Sequence, residues 1–176
     1  MTEYYTDAEL AAAKKQRKKT LIVYFIVFGV YLAATVAIFI YYGTLPYKGY
    51  ADTASKISLI KGVHYSLTAV FVIFSFIYLG ITFKRVNRYY KTCRNMSTGL
   101  RETSTGSFLE YDENIQDKDG VDFKALVFIE WNKYKKDFFE RKVLVFYEKP
   151  FPEIPLEANV SYTTQGNVLI SYEILS

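Results

Sequence analysis

Five carboxylates fall within eleven residues, Asp112, Glu113, Asp117, Asp119 and Asp122. Acidic side chains at that density are what a hard cation or a paired-carboxylate hydrolysis would need. The run Asp117-Lys118-Asp119-Gly120 lacks the full calcium-loop pattern and its closing bidentate Glu, so it reads as a solvated turn. No two of the acids are singled out as an acid/base pair. His64 is the one histidine and Cys93 the one cysteine. A lone imidazole is a poor metal site, and hydrogen bonding to water or headgroups accounts for it. A single thiol in a basic flank makes no intrachain disulfide and suits a reducing compartment. It reads as an unmodified thiol, with acylation of a juxtamembrane cysteine as the alternative.

Neither Walker nor dinucleotide spacing occurs, and no GxSxG elbow is present. The expectation is therefore a non-enzyme with no catalytic residue, no cofactor and no metal. The rival is a membrane-bound enzyme with a carboxylate site in its distal part.

The elements that would position these residues begin with two apolar stretches. No charge occurs from Thr20 to Tyr47, and the apolar run Leu21–Tyr42 has 22 residues, which as a helix spans roughly 33 Å, the thickness of a bilayer core. A second uncharged run covers 63–83. The first is too long for a secretion signal and no small-x-small cleavage site follows it, so a retained anchor is expected. Inside both runs there is no Asp, Glu, Lys or Arg, which weighs against an ion or proton path.

Charge sets the orientation. Lys14, Lys15, Arg17, Lys18 and Lys19 precede the first run; Lys84, Arg85, Arg88, Lys91, Arg94 and Arg101 follow the second; only Lys48, Lys56 and Lys61 lie between. Eleven basic residues against three put both termini in the cytoplasm. These flanks are expected at a membrane surface with anionic headgroups. Tyr41, Tyr42, Tyr47, Tyr50 and Tyr65 fit an aromatic belt on the far side. Thr6-Asp7-Ala8-Glu9 has capping-box spacing, so the first helix starts before the membrane. Gly29, Ala33 and Ala37 form a small-residue stripe for helix packing. It would face either this chain's own second helix or a partner.

Residues 95–107 read as a short connector, with Ser97-Thr98-Gly99 and Ser104-Thr105-Gly106 as loop chemistry. Beyond it the chain reads as strands: 108–116, 121–131, 138–148, 158–164 and 167–175. Turns are expected at Asp117–Gly120, at 132–136 and at Gln165-Gly166-Asn167. A helix over 131–142 is the alternative to a turn there. Phe128, Trp131, Phe146 and Tyr162 are the expected core, and the last strand is expected to be half-buried. Residues 102–176 hold 8 basic and 14 acidic residues, which argues against nucleic-acid binding.

The fold expected is a two-helix transmembrane hairpin followed by a small antiparallel β-domain of about five strands, a meander or an OB/SH3-like barrel. Its parts are a basic N-terminal helix (1–19), transmembrane helices at 20–42 and 63–83, an extracytoplasmic loop (43–62), a basic juxtamembrane segment and linker (84–106) and a cytoplasmic β-domain (107–176). The architecture, though no motif, resembles small bacterial membrane proteins whose helices tether an OB-like or pleckstrin-like domain. The function expected is a non-enzymatic, membrane-anchored adaptor presenting the β-domain to protein partners or to its own copies. Pro150, Phe151, Pro152 and Pro155 form the candidate contact loop. The alternatives are an accessory subunit bound through the hairpin and a lipid-recognising β-domain.

Overall fold

The computed structural model describes residues 1–46, 51–132 and 134–175. Tyr47, Lys48 and Tyr50, assigned above to the outer loop, lie outside them. In chain order the elements are β1 (Thr2–Glu3), α1 (Asp7–Gly43), α2 (Ala51–Ile77), a π-helical turn (Tyr78–Phe83), α3 (Lys84–Thr98), β2 (Glu102–Lys118), β3 (Val121–Asn132), β4 (Asp137–Phe146), β5 (Asn159–Gln165) and β6 (Val168–Ile174). The chain forms two compact units, 16–86 and the pair of segments 1–15 with 87–176.

In the first unit α1 and α2 are both long and apolar enough to cross a membrane. The half-buried residues of α1 are spaced by three and four, through Tyr24, Phe28, Tyr31, Thr35, Ile38 and Tyr42; those of α2 follow the same rule through His64, Leu67, Phe71 and Phe74, and on to Tyr78 at the start of the π turn. Spacing of that kind is the pattern of a coiled-coil-like seam between two helices. It is built of aromatic rings, with Tyr31 stacked on Phe71 at 4.2 Å and Tyr24 parallel to Phe74. Hydroxyls bridge it: Tyr24 to Ser75 at 3.4 Å, Tyr31 with Thr68 at 3.2 Å, and Tyr78 to the Thr20 carbonyl at 3.0 Å. Interhelical hydrogen bonds of this kind contribute about 0.6 kcal/mol each in lipid. Past Tyr78 the stripe steps five residues to Phe83, the extra residue being taken up by the π turn.

In the second unit strands β2–β6 close into a five-stranded barrel, in the order β2-β3-β4-β6-β5 and back to β2. Every pairing is antiparallel except β4 with β6. Closure rules out a meander and is consistent with an OB/SH3-like fold. Two tight turns set the register. Asp119 and Gly120 join β2 to β3 with φ of 56° and 72°, and Gly166 and Asn167 join β5 to β6 with φ of 53° and 65°. Two positive-φ residues in a two-residue loop are what a hairpin's right-handed twist requires. At the β3–β4 end the Asn132 side chain accepts from the backbone of Tyr134 and Lys135, so 131–142 turns and pairs as strands instead of forming a helix.

Four expectations are corrected. The connector over 95–107 shrinks, because α3 runs to Thr98 and β2 starts at Glu102. Residues 102–107 pair with β5, from Glu102↔Thr164 to Ser107↔Asn159, and Gly106 is buried where a Cβ would press on the Ile129 carbonyl at 3.0 Å. The helix expected over 1–19 begins at Asp7, and ahead of it β1 pairs with β6. The last strand is buried on both faces from Val168 to Ser171. Trp131 lies outside the core, half-exposed, whereas Phe128, Phe146 and Tyr162 are buried.

Burial on both faces has one cause. Inside the barrel Phe108, Leu126, Phe128, Val143, Val145, Val160, Tyr162 and Leu169 form one core. Outside it Phe123, Ala125, Leu144, Phe146, Val168 and Ile170 are covered by Tyr5, Ala13, Cys93 and Met96. The chain's own N-terminal segment and α3 thus roof the β3–β4–β6 face.

Candidate functional site

Two members of the acidic cluster, Asp112 and Asp117, are bonded locally. Asp112 pairs with Lys142 at 2.8 Å and accepts from the Asn114 backbone at 3.1 Å. The Lys142 hydrogen bond is the main reason its carboxyl sits below the usual range. Asp117 accepts from the Gly120 N–H at 3.2 Å, as a turn residue does. Among the described residues no three potential ligands converge as a metal site.

Cys93 is fully buried against the barrel roof, and the Tyr5 hydroxyl donates to its carbonyl at 2.7 Å. Burial pushes its thiol up to about 11, against opposing hydrogen bonds from Tyr89 and Tyr5. At neutral pH that leaves far less thiolate than an exposed thiol carries. Alkylation by a maleimide is expected only after unfolding; labelling of the native chain at the rate of a free thiol would refute the packing described. His64 sits in the α1–α2 seam with its ring 5.6 Å from Phe39.

The small-residue stripe is placed opposite to one of its two readings. Gly29, Ala33 and Ala37 are exposed, and a Cβ on Gly29 would meet nothing within 4 Å. They do not pack on α2, because the seam is made by the aromatic positions between them. Lys14, Lys15, Lys18, Lys19, Lys84, Arg85, Lys91 and Arg94 are exposed. Arg88 has a structural contact as well: its guanidinium lies where a Cβ on Gly120 would stand.

The contact loop is partly tied down. The Tyr111 hydroxyl lies 3.0 Å from the carbonyls of Pro152 and Ile154 and accepts from the Ile154 N–H. Phe151 packs on Tyr111, and the Lys124 ammonium lies over the Phe151 ring at 4.1 Å from its centre. Pro152 and Ile154 are buried, leaving Pro150, Pro155 and Leu156 exposed. The loop is thus a cover for one part of the barrel as well as a surface.

The polar centre that sequence reasoning missed is inside the barrel. Glu130 and Arg141 are largely buried and 3.4 Å apart. The Tyr162 hydroxyl donates to Glu130. Arg141 also reaches Ser104 at 2.8 Å, Glu102 at 2.9 Å, Asn167 at 3.2 Å and Thr164 at 3.4 Å. The signal was available: Glu130 shares the inward parity of Leu126 and Phe128, and an acid on a core face needs a cation. This network ties four strands, β2 to β5, to the turn at Asn167.

A cleft of about 180 Å³ is lined by Tyr5, Thr6, Asp7, Arg101 and Ser171, smaller than the pockets that usually enclose small ligands. In comparisons with known proteins, no family matches the chain, and no curated protein and no solved structure matches it.

Proposed function

We propose that the chain is a two-pass membrane protein, not an enzyme, that presents its barrel as a rigid adaptor to protein partners or to its own copies. The observation that carries this reading is the roof. Segment 1–15 and residues 87–176 form one compact unit, so the chain segments just outside both apolar runs belong to the barrel's own unit. A hairpin that crosses the bilayer then leaves both flanks on one side, and the Lys/Arg balance makes that side the cytoplasm.

A second reading, an accessory subunit held through the hairpin, is favoured by the outward Gly29/Ala33/Ala37 stripe, which lets another helix backbone approach. The two separate by photo-crosslinking in native membranes. A photoreactive residue at Leu156 is expected to give a discrete adduct if the barrel is the contact, and one at Ala33 if the helix is. Adducts at Ala33 alone favour the subunit reading; none at either position sinks both.

A further inference from the structure

The β3–β4 hairpin ends in a feature that neither the core nor the adaptor reading uses. Trp131, Tyr134, Phe138 and Phe139 are 50%, 99%, 66% and 41% exposed. Trp131 and Phe138 face each other across the strands, rings edge to face at 4.8 Å. Four large aromatics at one end of a barrel whose other aromatics are mostly buried leave apolar area in water without a packing reason. Lys135 and Lys136 stand exposed beside them. From Trp131 to Phe139 the sequence has three lysines against one acid, Asp137, although 102–176 as a whole carries six more acidic than basic residues.

We propose that this hairpin tip docks on the surface of an anionic lipid bilayer. Charge selects the occupant. Most of the barrel's surface would be repelled by an anionic leaflet, and the tip is the part that complements it. The residue types agree: Trp and Tyr place an apolar body at the acyl boundary and a polar edge among headgroups, and each nearby lysine adds about 1 kcal/mol of attraction. The turn is held firm by the Asn132 side chain, so docking orders little new backbone. Two apolar helices of membrane length keep a bilayer within reach of this chain.

Trp131 is the only tryptophan, so the intact protein reports on its own tip. The full chain is reconstituted into vesicles of phosphatidylglycerol with phosphatidylcholine, and into phosphatidylcholine alone. In the anionic vesicles Trp131 emission is expected to move to shorter wavelength and to be quenched by lipids brominated on the acyl chain. High salt is expected to reverse both changes. Lys135→Gln with Lys136→Gln is expected to lower the docking equilibrium about 25-fold, a factor of about five per ammonium. Both lysines are exposed, and an unchanged melting temperature would confirm that the variant keeps its fold. Emission that stays red and open to aqueous iodide in anionic vesicles overturns the proposal. So does shielding that ignores brominated lipid and disappears on dilution of the protein in lipid, which would mean contact with a second copy.

Discussion

Arg141→Ala is expected to destabilise the barrel by about 3–5 kcal/mol, the cost of leaving a buried charge without its partner. The side chain satisfies Glu130, Glu102, Ser104, Thr164 and Asn167 at once, and its plane also lies over the Tyr162 ring at 5.9 Å. Lysine offers one compact charge in place of a fork, so Arg141→Lys is expected to recover only part of the loss. Removing both partners tests the cause. In Glu130→Met with Arg141→Met no buried charge is stranded, and the double variant is expected to be more stable than Arg141→Ala. Thermal unfolding of the detergent-solubilised chain measures all three. A double variant worse than the single would show that the network contributes by attraction more than it costs by desolvation.

The pH dependence of that loss has a definite sign. Burial first, with Glu102 adding to it, raises the Glu130 carboxyl above its ordinary value, and Arg141 opposes this. An acid whose folded-state pKa is raised contributes stability that is fully present below the unfolded value and lost as pH rises through the folded one. Without Arg141 the folded pKa rises further, so the penalty of Arg141→Ala is expected to be larger at neutral pH than in mild acid. Asp112 runs the other way. Its carboxyl is lowered chiefly by the Lys142 hydrogen bond, so its contribution is present above the ordinary Asp value and disappears as pH falls through the folded one. A penalty for Arg141→Ala that grows on acidification would show that Glu130 is not the stranded group.

What could be read from the sequence follows the strength of local signals. The two apolar helices, the strand count and both glycine turns were legible because each depends on a run or on a neighbouring pair of residues. Gly120 and Gly166 have the positive φ that their turns demand. The roof was not legible, because it depends on tertiary contacts between Tyr5, Cys93 and Met96 and the outer face of β3, β4 and β6. The alternation in β6 therefore predicts one buried face, where both are covered. Trp131 was misplaced for a related reason: strand chemistry puts it in the sheet, and only its position at the hairpin end leaves it outside. The facing of the small-residue stripe stays open in the sequence, since a helix that carries both an aromatic seam and a Gly/Ala stripe can turn either inward. The candidate contact loop shows the same limit. Three prolines forecast an extended segment, yet the Tyr111 hydroxyl that fastens it lies about forty residues earlier in the chain.

The N-terminal residues give the second large effect. Tyr5→Ala is expected to cost about 3–5 kcal/mol, as for other buried aromatics truncated to a methyl, and Tyr5→Phe only about 1 kcal/mol, the worth of its one hydrogen bond. Tyr5 is buried among Cys93, Phe123, Phe146 and Ile170, and the N–H groups of Tyr4 and Tyr5 both reach the Ile170 carbonyl at 2.9 Å. Lys149 fastens the same segment from another side, donating to the Tyr4 carbonyl at 2.7 Å and pairing with Glu9. By contrast the ion pair of the terminal ammonium with Glu173 is exposed at 3.4 Å, and pairs of that kind contribute little. A tag fused ahead of Met1 is therefore expected to be tolerated, whereas deletion of residues 1–6 is expected to uncover the Phe123–Phe146 face. The readout is the rate at which Cys93 is alkylated. It lies under Tyr5, so the deletion is expected to open the thiol while the tag leaves it protected. If the deleted chain still shields Cys93, the roof belongs to α3 alone, and the N-terminal segment is not part of the barrel's cover.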